Sequence, residues 1–270
     1  MSAVQPKQIA ARGGTVHYWV DRREGAECLV FTHGVTADHT MFEKQVERFA
    51  GRYTLILWDV PMHGLSRPYT GFSYRETAQI LLSILDAEGI GQAFLVGMSM
   101  GGYPCQHFGA LCPERVKGFV ALDTTPLGLR YYSKADLWWL KRAAQIARAF
   151  PAGVLRWSMA RSVSRTPYAY RKMMEMLAPL SKAEIALQMH IAYACFAQEN
   201  RDVAFPFPVL ILVGERDRTG KVMAYCRAWA QHTGYPMRII KDAAHFANGD
   251  QPQQVNDEIE RFICKWAGRG

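Results

Sequence analysis

The sequence predicts an α/β fold: a mostly parallel central sheet with helices on both faces, interrupted by one all-helical insertion. Three observations carry this. Runs that are apolar on successive residues recur along the chain, as strands covered on both faces require. Helical patterns alternate with those runs. The alternation breaks once, between Leu127 and about Phe205, where only helical patterns occur.

Taken in order, residues 15–20 (TVHYWV) open the strand series and residues 28–33 (CLVFTH) follow. A helical spacing comes next over 42–49 (FEKQVERF), then a strand over 53–59 (YTLILWD). The helix over 74–88 begins after Ser73 with Glu76 three residues on, which predicts a reciprocal capping box, and Gly89 closes it. Runs at 92–97, 116–123, 209–214 and 237–241 complete the strands. The stretch from Pro252 to Trp266 is a terminal helix with proline in its first turn. Inside the insertion, which is rich in Trp, Met, Tyr and Arg, Pro151, Pro167 and Pro179 mark out several short helices. Pro206, Phe207 and Pro208 then return the chain to the sheet. This divides the chain into a core domain, 1–126 and 206–270, and a helical lid, 127–205, over the strand ends.

A chain of 270 residues with 49% hydrophobic content can bury a full core and carry an inserted piece. No run approaches bilayer-spanning length and no leader-like apolar stretch opens the chain. The expectation is a soluble, cytoplasmic protein with no membrane partner. Six cysteines show no C-x-x-C pair and no metal-ligand spacing, so scattered buried thiols are expected, with neither metal nor cofactor. Cys105 and Cys112 fall on one predicted helix, roughly 10 Å apart along its axis, beyond disulfide reach. A net charge of +8 and a pI near 9.2 invite a nucleic-acid reading. The location of the charge argues against it. Eleven Lys/Arg against four Asp/Glu lie between Leu127 and Asn200, so seven of the eight excess charges sit on the insertion. Those cations either draw an anionic small-molecule substrate towards a covered site or solubilise a helical surface.

Residues 97–101 (GMSMG) set Ser99 between two glycines, directly after a strand run and before a helical one. A serine hydroxyl is a poor nucleophile unless a base takes its proton and a third group orients that base. Asp217, in GERD after the run 209–214, and His245, in AAHF after the run 237–241, are the candidates. Each lies just past the carboxyl end of a strand, where open parallel sheets build their sites. Asp123, closing the run 116–123, competes with Asp217 as the orienting acid. His33 and His63 stand in His-Gly pairs and are expected to hydrogen-bond loop backbone, while His190 is expected to pack within the insertion. Met159, Met173, Met174, Met176 and Met189 are expected to pack there too, and thioethers also suit an adaptable apolar pocket.

The segments THGV at 32–35, WDVPMHGLS at 58–66, GMSMGG at 97–102, GERD at 214–217 and AHF at 244–246 resemble, in order, the α/β-hydrolase family. The likeness is to its serine-nucleophile, lidded, carboxylesterase-like members and covers nearly the whole chain outside the insertion. It implies about eight strands, with the lid entering after the sixth strand of the family's usual count. It also implies that Ser99 is the nucleophile, His245 the general base and acid, and Asp217 the orienting carboxylate. The backbone N–H groups of Val35 and Met100 would form the oxyanion hole. One departure is Met62, which stands where the family's Pro-Gly-His-Gly has its first glycine. The expected activity is hydrolysis of a small-molecule carboxylic ester through an acyl-enzyme, by a monomer or homodimer. The same apparatus serves carbon–carbon cleavage of an anionic keto-acid, or thioester hydrolysis. A ligand receptor with weak turnover is the alternative from another class.

Overall fold

The computed structural model describes residues 4–268, apart from the side chains of Trp139, Lys141, Ala143, Ala144, Ile146 and Ala147. Residues 1–3 and 269–270 of the expected core domain, and the Lys141 cation of the charge count, lie outside the described residues. Eight strands form one sheet: β1 (Gln5–Ala11), β2 (Gly14–Asp21), β3 (Cys28–Thr32), β4 (Thr54–Trp58), β5 (Ala93–Met98), β6 (Val116–Leu122), β7 (Val209–Gly214) and β8 (Met237–Ile240). Their order is β1-β2-β4-β3-β5-β6-β7-β8. The β1–β2 and β2–β4 pairs are antiparallel and the rest parallel. Every residue of β3, β4, β5 and β7 is buried, which is why those runs are apolar without alternation. Strand β1 is an addition to the strands expected from the sequence. It is a polar edge strand, mostly exposed, and it carries Pro6 where no inner strand could.

Ten helices accompany the sheet among the described residues: α1 (Glu43–Phe49), α2 (Tyr74–Ala87), α3 (Gly102–Leu111), α4 (Lys134–Ala149), α5 (Ala152–Val163), α6 (Pro167–Leu177), α7 (Lys182–Glu199), α8 (Val222–Thr233), α9 (Ala247–Asp250) and α10 (Pro252–Trp266). Two apolar layers sandwich the sheet. One gathers Tyr74, Phe108 and Trp229 from α2, α3 and α8; the other gathers Phe49, Ile259 and Phe262 from α1 and α10. The capping box expected at α2 is only half formed. Ser73 Oγ accepts the Glu76 N–H at 3.0 Å, but the Glu76 carboxylate turns to the Tyr69 hydroxyl at 2.8 Å. A complete box, Ser181 with Glu184, opens α7. Gly89 closes the α2 segment in the left-handed region, at φ 61°.

Helices α4–α7 leave the sheet after β6 and return at β7. They are fastened to the core by polar contacts as well as packing. Gln188 Nε2 donates to the Met62 carbonyl at 2.7 Å, and Arg67 pairs with Glu184 at 2.7 Å. The Tyr74 hydroxyl donates to the Ala192 carbonyl at 3.0 Å. The Glu199 carboxylate accepts the Tyr74 and Arg75 N–H groups at 3.0 and 2.9 Å, using the positive end of α2. Met173 and Met176 are buried, with Met159, Met174 and Met189 packed half-buried beside them. His190 is exposed, contrary to expectation: at 3.6 residues per turn it falls opposite the buried positions Ile185, Gln188, Ala192 and Cys195. All six cysteines are free; five are buried and Cys264 is exposed. No helix among the described residues is long and apolar enough to cross a membrane.

Candidate active site

Ser99 follows the last residue of β5, and its backbone is left-handed at φ 52°, rare for a residue with a Cβ. The flanking glycines make this turn possible. A Cβ on Gly97 would lie 2.7 Å from the Gly101 carbonyl oxygen, and one on Gly101 would lie 2.0 Å from that of Thr32. The elbow therefore packs directly on the end of β3, and α3 starts at once, at Gly102. The serine is left half-buried at the carboxyl edge of the sheet.

Loops after β7 and β8 bring the other two groups to it. His245 Nε2 lies 2.8 Å from Ser99 Oγ, and His245 Nδ1 lies 2.8 Å from Asp217 Oδ2. Asp217 Oδ1 accepts the Thr219 N–H at 2.8 Å, which fixes the carboxylate. The competing acid makes a different contact: Asp123 Oδ1 accepts the Gly214 N–H at 2.7 Å, and its Oδ2 is buried without a partner. Asp217 is thus the carboxylate bonded to His245. Burial pushes Asp123 above the ordinary carboxylate range, and the nearby Asp217 charge adds to this. Burial also works against ionising Asp217, but attraction to His245 and its hydrogen bond outweigh it and hold Asp217 low. Burial likewise lowers His245, yet the Asp217 charge and hydrogen bond overcome it and leave the imidazole above its ordinary 6.5.

One atom each of Asp123, Asp217 and His245 lie within 4.8 Å of one another, close enough among the described residues to share a cation. Both ring nitrogens of His245 are bonded to Ser99 and Asp217.

Beside the elbow, Gly34 comes so close that an added Cβ would sit 3.3 Å from Ser99 Cβ. Val35 follows it in the chain, as Met100 follows Ser99. His33 holds this loop: Nδ1 donates to the Gly34 carbonyl at 2.8 Å and Nε2 accepts the Val60 N–H at 3.0 Å. His63 bonds the Pro61 carbonyl at 3.0 Å, and burial pushes its pKa down to about 3. Both histidines thus serve loop backbone. The sequence reading missed Asp59, which organises the next loop by accepting the His39 N–H at 2.8 Å and the Leu65 N–H at 2.6 Å. Met62 in that loop has a left-handed backbone, at φ 72°. The conformation costs about 1–2 kcal/mol. Burying the methionine side chain, at 8% exposure, offsets that by about 1.5–3 kcal/mol.

The chain that carries Ser99 after β5, Asp217 after β7 and His245 after β8 is similar over nearly its whole length to known proteins. The chain is 26% identical over 266 residues to a 2-(acetamidomethylene)succinate hydrolase of Mesorhizobium japonicum, covering 93% of this chain and 92% of the relative. It is 23% identical over 270 residues to 3-oxoadipate enol-lactonase 2 of Acinetobacter baylyi, covering 96% of each. Among solved structures, a thermophilic esterase from Thermogutta terrifontis with malate bound superposes with a TM-score of 0.78 at 22% identity, covering 97% of this chain and 98% of that one. A family profile described as the alpha/beta hydrolase fold matches residues 27–252. With the whole span from β3 to the start of α10 inside that match, the chain belongs to the alpha/beta hydrolase fold family and is a hydrolase enzyme.

Proposed function

We propose that this hydrolase cleaves a small carboxylic ester or lactone carrying an anionic group, through an acyl-enzyme on Ser99. The observation that carries the reading is the unbroken hydrogen-bond chain from Ser99 Oγ through His245 to Asp217, 2.8 Å at each link. His245 Nε2 takes the hydroxyl proton as Oγ attacks the carbonyl carbon, while Asp217 holds the Nδ1–H tautomer and steadies the imidazolium. The Val35 and Met100 N–H groups receive the developing oxyanion; losing one such donor typically costs about 10²–10³ in rate. The imidazolium then protonates the leaving alkoxide, and a water activated by the same nitrogen releases the acid. Helices α4–α7, within 127–205, act as a lid over the core formed by 1–126 and 206–270. An anionic substrate is supported by the basic excess of that segment and by relatives named for a succinate derivative and an oxoadipate enol-lactone. Six free cysteines support a cytoplasmic setting.

Pre-steady-state hydrolysis of a panel of esters, lactones, thioesters and keto-acids, graded in size and charge, tests the reading. Esters with a carboxylate should release their alcohol in a burst equal to the enzyme concentration, whereas lactones, whose freed hydroxyl stays on the acyl group, should show the acyl-enzyme as a mass adduct of the whole ring-opened substrate. Preferential carbon–carbon cleavage, or a ligand-induced rise in Tm without turnover, would contradict it.

A further inference from the structure

The two backbone N–H groups that flank His245 both lead to one place. Ala244 N donates to Asp250 Oδ2 at 2.9 Å, and Phe246 N donates to the Val163 carbonyl at 2.7 Å. The other oxygen of Asp250, Oδ1, accepts the Arg165 and Thr166 N–H groups at 2.8 Å each. Val163 is the last residue of α5, and Arg165 and Thr166 lie in the turn leading to α6. The loop bearing the histidine is therefore bonded, on either side of the imidazole, to the insertion. Asp250 reaches back to this position through the single turn of α9, in which its own N–H donates to the Phe246 carbonyl at 2.9 Å. It is 5% exposed, and all three of these side-chain bonds require an acceptor. An ionised carboxylate can serve all of them, whereas an amide offers only one accepting atom.

We infer that Asp250 and the α5–α6 turn are positioning elements for His245: they hold the imidazole on Ser99 only while the insertion is seated on the core. This rests on the acyl-enzyme reading above. The consequence is a site whose base is in register when covered and slackens when the insertion lifts for exchange of substrate and product. Activation of Ser99, and of the water that deacylates it, is then coupled to closure. The coupling needs no large motion, because a displacement of about 1 Å at a reacting group can cost about 10²-fold in rate.

Two substitutions test the inference from opposite ends of the bond network. Asp250→Asn keeps the shape but turns an amide NH₂ towards either Ala244 N or the insertion's N–H pair. Arg165→Pro removes one N–H on the insertion side. Its side chain is exposed, and the preceding Ser164 is already extended (φ −129°, ψ 149°), as a residue before proline must be. With Tm confirming folded protein, Asp250→Asn should lower kcat by up to about 100-fold with KM nearly unchanged. The rate at which a fluorophosphonate modifies Ser99 should fall in parallel, and the downfield proton resonance of His245 Nδ1–H should broaden. Arg165→Pro should lower kcat in the same sense but by less, and the double variant should match Asp250→Asn alone, because both act on one network. If Asp250→Asn does not fold, Arg165→Pro carries the test by itself. Folded variants with the wild-type kcat, phosphonylation rate and proton resonance would reduce Asp250 to a structural strut and overturn the inference, as would additive losses in the double variant. Turnover persisting in Ser99→Ala would instead overturn the acyl-enzyme reading, whatever the variants at 165 and 250 do.

Discussion

Three buried acids near one imidazole play three parts, and the environment of each decides which. Asp217 is held low because His245 and the Thr219 N–H face it; Asp123 is pushed up by burial and by the Asp217 charge, with one oxygen left without a partner; Asp250 spends both oxygens on backbone N–H groups. Asp217→Asn should therefore lower kcat by about 10⁴-fold with an unchanged far-ultraviolet circular dichroism spectrum, since the amide favours the wrong imidazole tautomer. Asp123→Asn should be far milder; the reverse ranking would reassign the orienting acid. The pH profile follows from the sign of the His245 shift. The base works only when neutral, and attraction to Asp217 keeps its proton on to a higher pH than usual. On the acid side, kcat/KM should thus fall with a midpoint above 6.5, and a midpoint below the ordinary histidine value would contradict the account. Ser99, Asp217 and His245 were legible in the sequence because each directly follows a strand run. Asp250 was not, since its partners are backbone N–H groups contributed by other segments, and a backbone donor leaves no mark in residue types; nor was Asp59, whose partners are the Leu65 N–H and the N–H and ring Nδ1 of His39, twenty residues away.

At the scale of elements, runs apolar on every residue were legible as β3, β4, β5 and β7 because both faces of those strands are covered. Strand β1 was not, because an exposed edge carries no such pattern and its pairing to β2 rests on main-chain bonds alone. Capping showed the same limit. Ser73 and Ser181 both precede a Glu at the right spacing, yet only Glu184 reaches back, because Tyr69 claims Glu76 through a contact across the loop. The join of β5 to α3 depends on space instead of pattern. With the Thr32 carbonyl 2.0 Å from the Cβ that alanine would add at Gly101, the helix would have to move off the end of β3. Gly101→Ala should cost at least about 1–3 kcal/mol, seen as a Tm several degrees lower, and should depress turnover more than stability alone accounts for. Gly91→Ala, with open space around it and, like Gly101, no left-handed backbone, serves as the control for losing a glycine alone. Equal effects at both glycines would show that the close approach does not matter.

Across the whole molecule, charge is divided as sharply as structure: the insertion holds seven of the eight excess positive charges. Some of these are committed locally, as in the Arg130–Asp202 pair at 2.6 Å and the Lys172–Glu43 pair at 2.6 Å. Arg148, Arg161, Arg165 and Arg171 are exposed and can project a field. Exposed charges act over roughly 8–10 Å at moderate ionic strength, so added salt should lower kcat/KM for a carboxylate-bearing ester and leave a neutral ester of equal size unchanged. Identical salt profiles would assign these cations to solubility alone. The central claim, that catalysis proceeds through a covalent bond to Ser99, is tested most directly on the intact protein by mass. Treatment with a fluorophosphonate should add one adduct per chain, mapped to the peptide containing Ser99, with loss of turnover in step, and Ser99→Ala should take up none. An adduct on another residue, or full turnover in Ser99→Ala, would contradict the account.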